Sequence, residues 1–249
     1  MKDFSERIKD RVDELNTRLV FALDLSRSVY SLDNSLQKKK KKELYQKASQ
    51  ILKDTEDHLA AVKINYPLLF ALGPELIQKL LAEITVPIIG DFKVADIDNT
   101  SMWIGRHAFE LGFEAVIAHG FIGLEGGLSG LTEEADKFGG GIILVINMSH
   151  PGSKKFITPR ANDLAKFAVE IGADGVVAPA TRPEEVREAR NWIGDDILMF
   201  TPGIGAQGGK PGDAIKAGAD FEIVGRGIYQ AEDPADSAKI LKKQMTGEK

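Results

Sequence analysis

Short apolar, β-branched runs recur along the whole chain, and stretches with the periodicity of amphipathic helices separate them. Eight of these runs have the length and composition of buried strands. They cover residues 19–25, 60–64, 86–92, 115–118, 141–147, 175–178, 197–201 and 221–224. Helical periodicity is clearest over residues 74–84, 101–112, 161–171, 183–192 and 212–217. Because strands and helices alternate, the pattern predicts parallel strand pairing.

Eight strands in a chain of this length fit a (β/α)8 TIM barrel, with a doubly wound open sheet as the alternative fold. The barrel is favoured because nearly every strand ends in a polar or glycine-bearing loop, as a ring-shaped mouth requires. The 249 residues are 43% hydrophobic and contain no proline- or serine-rich linker, so they can bury one large core. We expect a single domain over residues 1–249, with a barrel core from about residue 18 to residue 229.

Charge and cysteine content exclude several classes of function. The 32 basic and 37 acidic residues give a net charge of -5, which argues against a broad nucleic-acid surface. The chain has no cysteine, which excludes disulfides, thiolate metal sites and cysteine nucleophiles. No apolar run approaches the roughly 20 residues of a membrane span, and residues 1–7 lack the apolar segment of a signal peptide. We therefore expect a cytoplasmic protein that binds neither nucleic acid nor membranes.

The five consecutive lysines Lys38–Lys42 are a candidate for a nucleic-acid or lipid patch. They run directly into Glu43, Leu44 and Tyr45 within the first strand-to-helix segment. This context favours a solvated helix face.

The third predicted strand runs directly into charged residues. Asp91 and Lys93 are two residues apart and share one face of an extended strand, while Asp96 falls in the loop beyond it. Spacing alone leaves open a catalytic mouth or a solvated Asp-Lys-Asp turn. Asp24 and Lys63 close the first two strands, so a barrel would bring them into an alternating Asp-Lys network with Asp91 and Lys93. Because buried ions seldom stabilise a core, this network favours a catalytic function.

The fourth and fifth strands end in less informative residues. His119 follows the fourth strand, and we assign it no chemistry. Ser149 follows the fifth strand, where it could equally cap a helix or contact the polar edge of a ligand. A nucleophile-base pair of Ser149 and His150 is disfavoured, because adjacent residues on an extended segment point in opposite directions.

Glycine-rich loops follow the last two strands. Residues 201–212 carry five glycines, which indicates a mobile lid or a phosphate cradle. The eighth strand ends in Gly225-Arg226-Gly227, which places bare backbone N–H groups beside a guanidinium. Barrels commonly bind phosphate after strands 7 and 8, and Arg226 would add a bidentate contact. The two loops together predict a phosphate site.

Taken together, these residues resemble the orotidine 5′-phosphate decarboxylase family, most closely its short microbial forms, from Arg18 to Tyr229. The motifs that carry the resemblance are Asp24, Lys63, Asp91-x-Lys93-x-x-Asp96-Ile97-x-x-Thr100, Met148-Ser149-His150-Pro151-Gly152, Pro202-Gly203-Ile204-Gly205-Ala206-Gln207-Gly208-Gly209 and Val224-Gly225-Arg226. The resemblance implies a (β/α)8 barrel that converts orotidylate to UMP and CO2 in pyrimidine synthesis, without metal or cofactor. It also implies a homodimer with active sites at the subunit interface.

The resemblance implies a role for each charged residue of the network. Lys93 is similar to the acid that protonates C6 as CO2 leaves, and Asp91 to the residue beside the departing carboxylate. Lys63 and the partner subunit's Asp96 would complete the alternating network. Whether Asp91 destabilises the substrate carboxylate or positions Lys93 stays open at this stage.

Further residues resemble the family's substrate ligands. Asp24 and Lys63 are similar to ribose-hydroxyl ligands, with Ile97 and Thr100 reaching in from the second subunit. Ser149 is similar to the serine that contacts the pyrimidine ring. The implied phosphate site and closing loop comprise Gln207, Gly225, Arg226 and the segment from Pro202 to Gly212.

Two other functions compete with this interpretation. Sister enzymes with a D-x-K-x-x-D run act on pentulose or hexulose phosphates, and they hold Mg²⁺ with an acidic residue where this chain has Lys63. A non-catalytic sensor of phosphate ligands would need Arg226 and the glycine loops but not the Asp-Lys network. Lys63 disfavours the first function, because it puts a cation where a magnesium ligand would be needed. The presence of all four charged residues disfavours the sensor.

Overall fold

The computed structural model describes residues 4–248; residue 249 and residues 1–3, part of the segment considered above for a signal peptide, lie outside the described residues. Eight parallel strands form a closed barrel in chain order. They are β1 (Leu19–Ala22), β2 (Ala61–Asn65), β3 (Ile88–Val94), β4 (Ala115–His119), β5 (Gly141–Val145), β6 (Gly175–Val177), β7 (Leu198–Pro202) and β8 (Phe221–Val224). Because β8 pairs with β1, the predicted single-domain (β/α)8 barrel is confirmed and the open sheet is excluded.

The helices pack around the outside of the barrel. Within the described residues they are α1 (Phe4–Leu15), α2 (Asn34–Thr55), α3 (Tyr66–Leu72), α4 (Pro74–Leu81), α5 (Asp98–Leu111), α6 (Ser129–Phe138), α7 (Ser153–Phe156), α8 (Ala161–Glu170), α9 (Pro183–Ile193), α10 (Asp213–Lys216), α11 (Arg226–Tyr229) and α12 (Pro234–Thr246). All five predicted helical stretches contain a helix, although the stretch 212–217 contributes a single short turn, α10.

Alternate residues of each strand face two separate cores. On β1, Val20 and Ala22 point into the barrel, whereas Leu19 and Phe21 point out toward the helices. The same alternation puts Ala61 and Ile89 inside on β2 and β3. Because side chains alternate along a strand, the residues two positions further on also face the barrel axis. This alternation directs the polar side chains at the strand ends toward the mouth of the barrel.

Helix α1 closes the end of the barrel opposite the mouth. Phe4 and Ile8 are four residues apart on one helix face, and both are fully buried in the inner core. The Phe4 ring lies 6.4 Å from the ring of Phe200 on β7, centroid to centroid. The sequence analysis did not predict this helix.

The lysine run lies on helix α2. The side chain of Asp33 caps the start of this helix by accepting hydrogen bonds from the backbone N–H groups of Ser35 and Leu36. Lys38, Lys39 and Lys42 are exposed, while the later turns bury an apolar face against the barrel. The predicted helix is confirmed. No helix within residues 4–248 is long and apolar enough to cross a membrane.

Candidate active site

Four charged side chains meet at the mouth above strands β1 to β3. The ammonium of Lys63 lies 3.2 Å from Asp24 Oδ1 and 2.8 Å from Asp91 Oδ2. The other carboxylate oxygen of Asp91 lies 2.6 Å from the Lys93 ammonium. The structure therefore brings together the four residues of the predicted network in the alternating order Asp24, Lys63, Asp91, Lys93. We call this set the Asp-Lys array.

Exposure differs along the Asp-Lys array. The side chains of Lys63 and Asp91 are 7% and 10% exposed, whereas that of Lys93 is 40% exposed. The inner pair is shielded from solvent and the outer ammonium opens into the mouth. A ligand in the mouth can therefore reach Lys93, while Asp91 fixes its ammonium from below.

The backbone at Lys93 departs from the predicted extended strand. Its φ is +45°, in the left-handed region that costs energy for a residue other than glycine. The pairing of β3 with β4 is irregular here, because Gly90 pairs with Val116 and Val94 with Ala118, four residues apart on β3 but two apart on β4. This bulge reorients the end of β3, as bulges beside functional sites often do. The predicted proximity of Asp91 and Lys93 holds, but a bulge rather than regular alternation produces it.

The inner pair of the Asp-Lys array, Lys63 and Asp91, is ionised at neutral pH. Burial alone would raise the pKa of Asp91, but the ammonium groups of Lys63 and Lys93 outweigh it and lower that pKa. Burial alone would lower the pKa of Lys63, but the carboxylates of Asp91 and Asp24 outweigh it and raise that pKa. The charges therefore stabilise one another, as the alternating order requires.

A cavity of about 430 Å³ opens above the Asp-Lys array and extends across the mouth to strands β7 and β8. Its volume is within the usual range for a small-molecule site. The far wall consists of Gly225 and Arg226, after β8, and residues of the glycine loop, by which we mean residues 203–212. Nine predicted site residues line this cavity: Asp24, Lys63, Asp91, Lys93, Ser149, Pro202, Gln207, Gly225 and Arg226.

Ser149 and Gln207 connect the β5 side of the cavity to the glycine loop. The hydroxyl of Ser149 lies 2.6 Å from Gln207 Oε1 and donates a hydrogen bond to it. His150 also lines the cavity, which the sequence analysis did not predict. The sequence disfavoured a nucleophile-base pair of Ser149 and His150. Within residues 4–248 the Ser149 hydroxyl bonds to Gln207 instead, and this pair is absent.

Three predicted site residues lie away from the cavity. Asp96 follows β3, and its carboxylate accepts a hydrogen bond from the backbone N–H of Ile97. Ile97 is 68% exposed, a large apolar side chain facing outward from this subunit. Thr100 lies in the first turn of α5, half-buried. None of the three lines the cavity formed within residues 4–248.

A buried polar network supports the loop that carries Ser149. Asn147 is 3% exposed, and its amide donates to Glu185 on α9 at 2.6 Å. Its side-chain oxygen accepts from the backbone N–H of Met148 and from the hydroxyl of Thr158. The network fixes the backbone immediately before Ser149. In the sequence, this network is indicated by an asparagine at the end of an apolar strand, because a buried amide needs hydrogen-bond partners.

His119 lies at the end of β4 and outside the cavity lining. Burial, with a contribution from the Lys93 ammonium, lowers its pKa, so its imidazole is neutral at neutral pH. Its Nδ1 is buried without a hydrogen-bond partner among the described residues.

The carboxylates of Asp24 and Asp91 share one counter-ion, the Lys63 ammonium. Between Asp24 and Asp91 lies the Lys63 ammonium, which occupies the position where a cation would bind the two carboxylates. Within residues 4–248, no three His, Asp or Glu side chains are grouped to hold a metal ion.

Comparison with known proteins decides the family. The sequence model of the orotidine 5′-phosphate decarboxylase / HUMPS family matches residues 17–241. The chain belongs to this family. Orotidine 5′-phosphate decarboxylase of Methanococcoides burtonii is 44% identical over 232 residues, which cover 93% of this chain and 99% of the relative. That of Thermococcus kodakarensis is 44% identical over 229 residues, covering 92% and 97%. These relatives confirm the predicted enzyme class, a carboxy-lyase.

Solved structures of the family share the fold. The orotidine 5′-monophosphate decarboxylase of Methanocaldococcus jannaschii, solved with the inhibitor BMP, superposes with a TM-score of 0.79 at 32% identity, covering 92% of this chain and 98% of that one. The enzyme of Pyrococcus horikoshii OT3 superposes with a TM-score of 0.76 at 38% identity, covering 91% and 98%. Both chains are matched almost completely, so the family relationship extends over the whole barrel.

Proposed function

We propose that this chain decarboxylates orotidine 5′-phosphate to UMP and CO2 as a step of pyrimidine nucleotide synthesis, without metal or cofactor. The observation that carries the proposal is the Asp-Lys array. A buried carboxylate, Asp91, is held between two ammonium groups, and the outer one, that of Lys93, faces the cavity. A fixed positive charge at this point suits a reaction that develops negative charge on carbon.

The order of the strands around the barrel supports this substrate. The phosphate ligands Gly225 and Arg226 follow β8, which is hydrogen-bonded to β1. Asp24 follows β1, and the next strands carry the remaining residues of the Asp-Lys array. A nucleotide laid along this wall has its phosphate at β8, its ribose hydroxyls at Asp24 and Lys63, and its reacting ring carbon at Lys93. The functional groups of orotidylate occur in the same order.

Lys93 protonates the reacting carbon in this mechanism. Loss of CO2 breaks the C6–carboxylate bond and leaves its electron pair on C6, and Lys93 then transfers a proton to that pair. The ammonium is already oriented by Asp91 at 2.6 Å, so little reorganisation is needed as the charge develops. Solvent reprotonates the Lys93 amine after the product leaves.

The glycine loop and Arg226 bind the phosphate. Gln207, on the glycine loop, and the guanidinium of Arg226 both line the cavity. Closing the loop on the phosphate lets binding energy from a non-reacting group position the ring. Ser149, whose hydroxyl bonds to Gln207, lies where the pyrimidine edge and the loop meet.

The working unit in this proposal is a homodimer with shared sites. Asp96, Ile97 and Thr100 face away from their own cavity, and Ile97 offers an exposed apolar side chain. In a symmetric dimer these residues would reach the partner's cavity and add a third carboxylate, that of Asp96, to the Asp-Lys array.

The sugar-phosphate chemistry of the sister enzymes fits this site less well. That chemistry uses Mg²⁺ held by an acidic residue at the end of the second strand. Here that residue is Lys63, whose ammonium contacts both neighbouring carboxylates. A divalent cation would have to displace a buried charge of the same sign.

The direct test follows the loss of orotidylate absorbance with purified protein in excess EDTA. We expect rapid turnover by the wild-type protein and none above background by Lys93→Ala, with both proteins retaining the same fold and measurable affinity for UMP. Absence of turnover by well-folded wild-type protein would overturn the proposed reaction. Near-normal turnover by Lys93→Ala would leave the reaction but overturn the role of Lys93.

A further inference from the structure

Glu222 on β8 is a fully buried carboxylate outside the cavity. Its side chain points away from the barrel axis, toward the start of α10. Oε2 accepts a hydrogen bond from the backbone N–H of Gly212 at 2.8 Å. Oε1 accepts from the backbone N–H groups of Ala214 at 3.0 Å and Ile215 at 3.4 Å. The carboxylate therefore satisfies three backbone donors, at residues 212, 214 and 215, where the glycine loop ends.

Gly212 cannot provide this cap itself. The first backbone N–H groups of a helix lack partners within the helix, and a polar side chain at the residue before it usually satisfies one of them. Gly212 occupies that position and has no side chain. Its φ is +85°, and a Cβ there would lie 2.8 Å from the carbonyl oxygen of Gln244. The residue must be glycine, so the cap comes from Glu222 on the neighbouring strand.

A carboxylate at this place is costly to bury. Glu222 is 0% exposed, and its recorded partners are backbone amides rather than a cation. Burial raises its pKa, and the hydrogen bonds from Gly212, Ala214 and Ile215 oppose the rise. An apolar side chain would avoid this cost but would leave three buried N–H groups without a partner.

The two ends of the glycine loop are attached to the barrel in different ways. Its first residue follows β7 directly, and Gly203 accepts a hydrogen bond from the backbone N–H of Gly209. Its last residue, Gly212, is fixed by Glu222 and packed against α12. Gln207 lies between these ends and lines the cavity. The position of Gln207 therefore depends on both attachments.

We propose that Glu222 is a positioning residue for phosphate binding, which holds the downstream end of the glycine loop so that Gln207 meets the phosphate of the nucleotide. The inference rests on the proposed function, since it takes the glycine loop to be the phosphate-binding loop. Without the anchor, more of the loop must become ordered when the phosphate binds, and that cost lowers the affinity for phosphate-bearing ligands.

The test compares UMP with uridine by titration calorimetry, using wild-type protein and Glu222→Gln. Glutamine keeps the size of the side chain but replaces one acceptor oxygen with a donor group that faces backbone N–H. We expect the affinity for UMP to fall roughly tenfold and that for uridine to change less than about twofold. A rise in the KM for orotidylate by a similar factor, with a smaller change in kcat, would support the positioning role of Glu222. Equal losses for UMP and uridine would overturn the inference, because they would indicate general destabilisation.

Asp220→Asn is the matched control. Asp220 precedes the same strand at its other end, and it likewise accepts a backbone hydrogen bond, from Met199 at 2.7 Å. Within residues 4–248 its carboxylate bonds to Arg190 and Met199 and not to the glycine loop, so Asp220→Asn is expected to lower stability without altering the ratio of UMP to uridine affinity. A change in that ratio as large as in Glu222→Gln would overturn the inference.

Glu222→Asp is the second variant, for use if Glu222→Gln does not fold. It keeps the charge but shortens the reach, so an intermediate loss of UMP affinity, about threefold, is expected. An unchanged UMP affinity in a folded Glu222 variant would overturn the inference. Failure of the proposed function is distinguishable, because wild-type protein would then neither turn over orotidylate nor bind UMP.

Discussion

The two sides of the cavity present opposite kinds of group to a ligand. On β1 to β3, the Asp-Lys array presents side-chain charges, and its central residue Asp91 is 10% exposed with both carboxylate oxygens paired. After β7, the glycine loop presents backbone groups and the side-chain amide of Gln207. After β8, the guanidinium of Arg226 is exposed beside it. The first region is held by buried ion pairs, whereas the second consists of backbone groups and exposed side chains.

The proposed function accounts for this difference. Charge that develops on a carbon atom during a reaction is stabilised best by groups that do not move. A phosphate is the same in substrate and product, so its site can contribute by closing and by releasing the product. The strained backbone of Lys93, at φ +45°, belongs to the fixed region. Structure outside the site therefore holds the reacting ammonium in place at some energetic cost.

The largest expected effect is that of Lys63→Ala. It removes the buried cation between Asp24 and Asp91, so both stability and turnover should fall. We expect a loss of about 3 kcal/mol in the free energy of unfolding and at least a roughly thousandfold loss of turnover. Urea denaturation and the absorbance assay measure the two quantities.

Lys53→Ala is the control for this prediction. Lys53 also pairs with a carboxylate, that of Glu83 at 3.1 Å, but its side chain is 53% exposed. An exposed pair of this kind is worth less than about 1 kcal/mol. If Lys63→Ala were no more harmful than Lys53→Ala, the fixed character of the Asp-Lys array would be disproved.

Arg226→Ala probes the opposite region. Arg226 is exposed, and in the part of the chain that the structure describes it is not bonded to the Asp-Lys array, so its loss should spare stability and weaken phosphate binding. We expect about a hundredfold loss of UMP affinity, with unfolding free energy within about 0.5 kcal/mol of wild type. Arg226→Lys retains the charge but not the bidentate geometry and should fall between the two. A large loss of stability would contradict the contrast between the regions.

Mixed dimers test whether the fixed region includes a residue of the second subunit. Lys93→Ala and Asp96→Asn should each be inactive alone. In an equal mixture that re-forms dimers at random, about half of the dimers are mixed, and one of the two sites in each mixed dimer has both Lys93 and the partner's Asp96. About a quarter of all sites are then intact. Activity near that level supports the shared site, whereas mixed dimers that form and stay inactive would exclude it.

The smallest effect concerns pH. The folded pKa of Asp91 lies below its usual 3.8, so its contribution to stability is fully present above that pH and is lost as pH falls through the lower folded value. The folded pKa of Lys63 lies above its usual 10.5, so its contribution is fully present below that pH and is lost as pH rises through the higher value. Between these limits the stability advantage of wild type over Asp91→Asn should be constant in urea denaturation, and it should shrink below pH 3.8. A steady change across neutral pH would contradict the ion pairing.

The sequence predicted the fold and most of the cavity lining because side chains alternate between the two faces of a strand. Apolar residues at alternate positions of β1, β2 and β3 point inward, so Asp24, Lys63 and Asp91 had to face the mouth once the barrel was recognised. The glycine loop was equally visible, since five glycines in residues 201–212 have no place in a packed element. These features depend on local composition and on one topological rule.

Other features depend on contacts that a single sequence does not display. The left-handed backbone of Lys93 arises from a bulge against β4, and local preference alone favours an extended residue there. Helix α1 is held by Phe4 and Ile8 at the base of the barrel, a site that exists after the barrel closes. Glu222 occupies an outward position of a short strand, and its partners lie in a loop seven to ten residues earlier. Such roles become visible when the fold is known.

The most direct test of the division between the two regions is a crystal structure with UMP bound. The account predicts C6 of the pyrimidine within about 3 Å of the Lys93 ammonium, and the phosphate against Gln207, Gly225 and Arg226. Asp96 of the partner subunit should lie beside the Asp-Lys array. A nucleotide bound in the reverse direction, with its phosphate at Lys63 and Lys93, would contradict it.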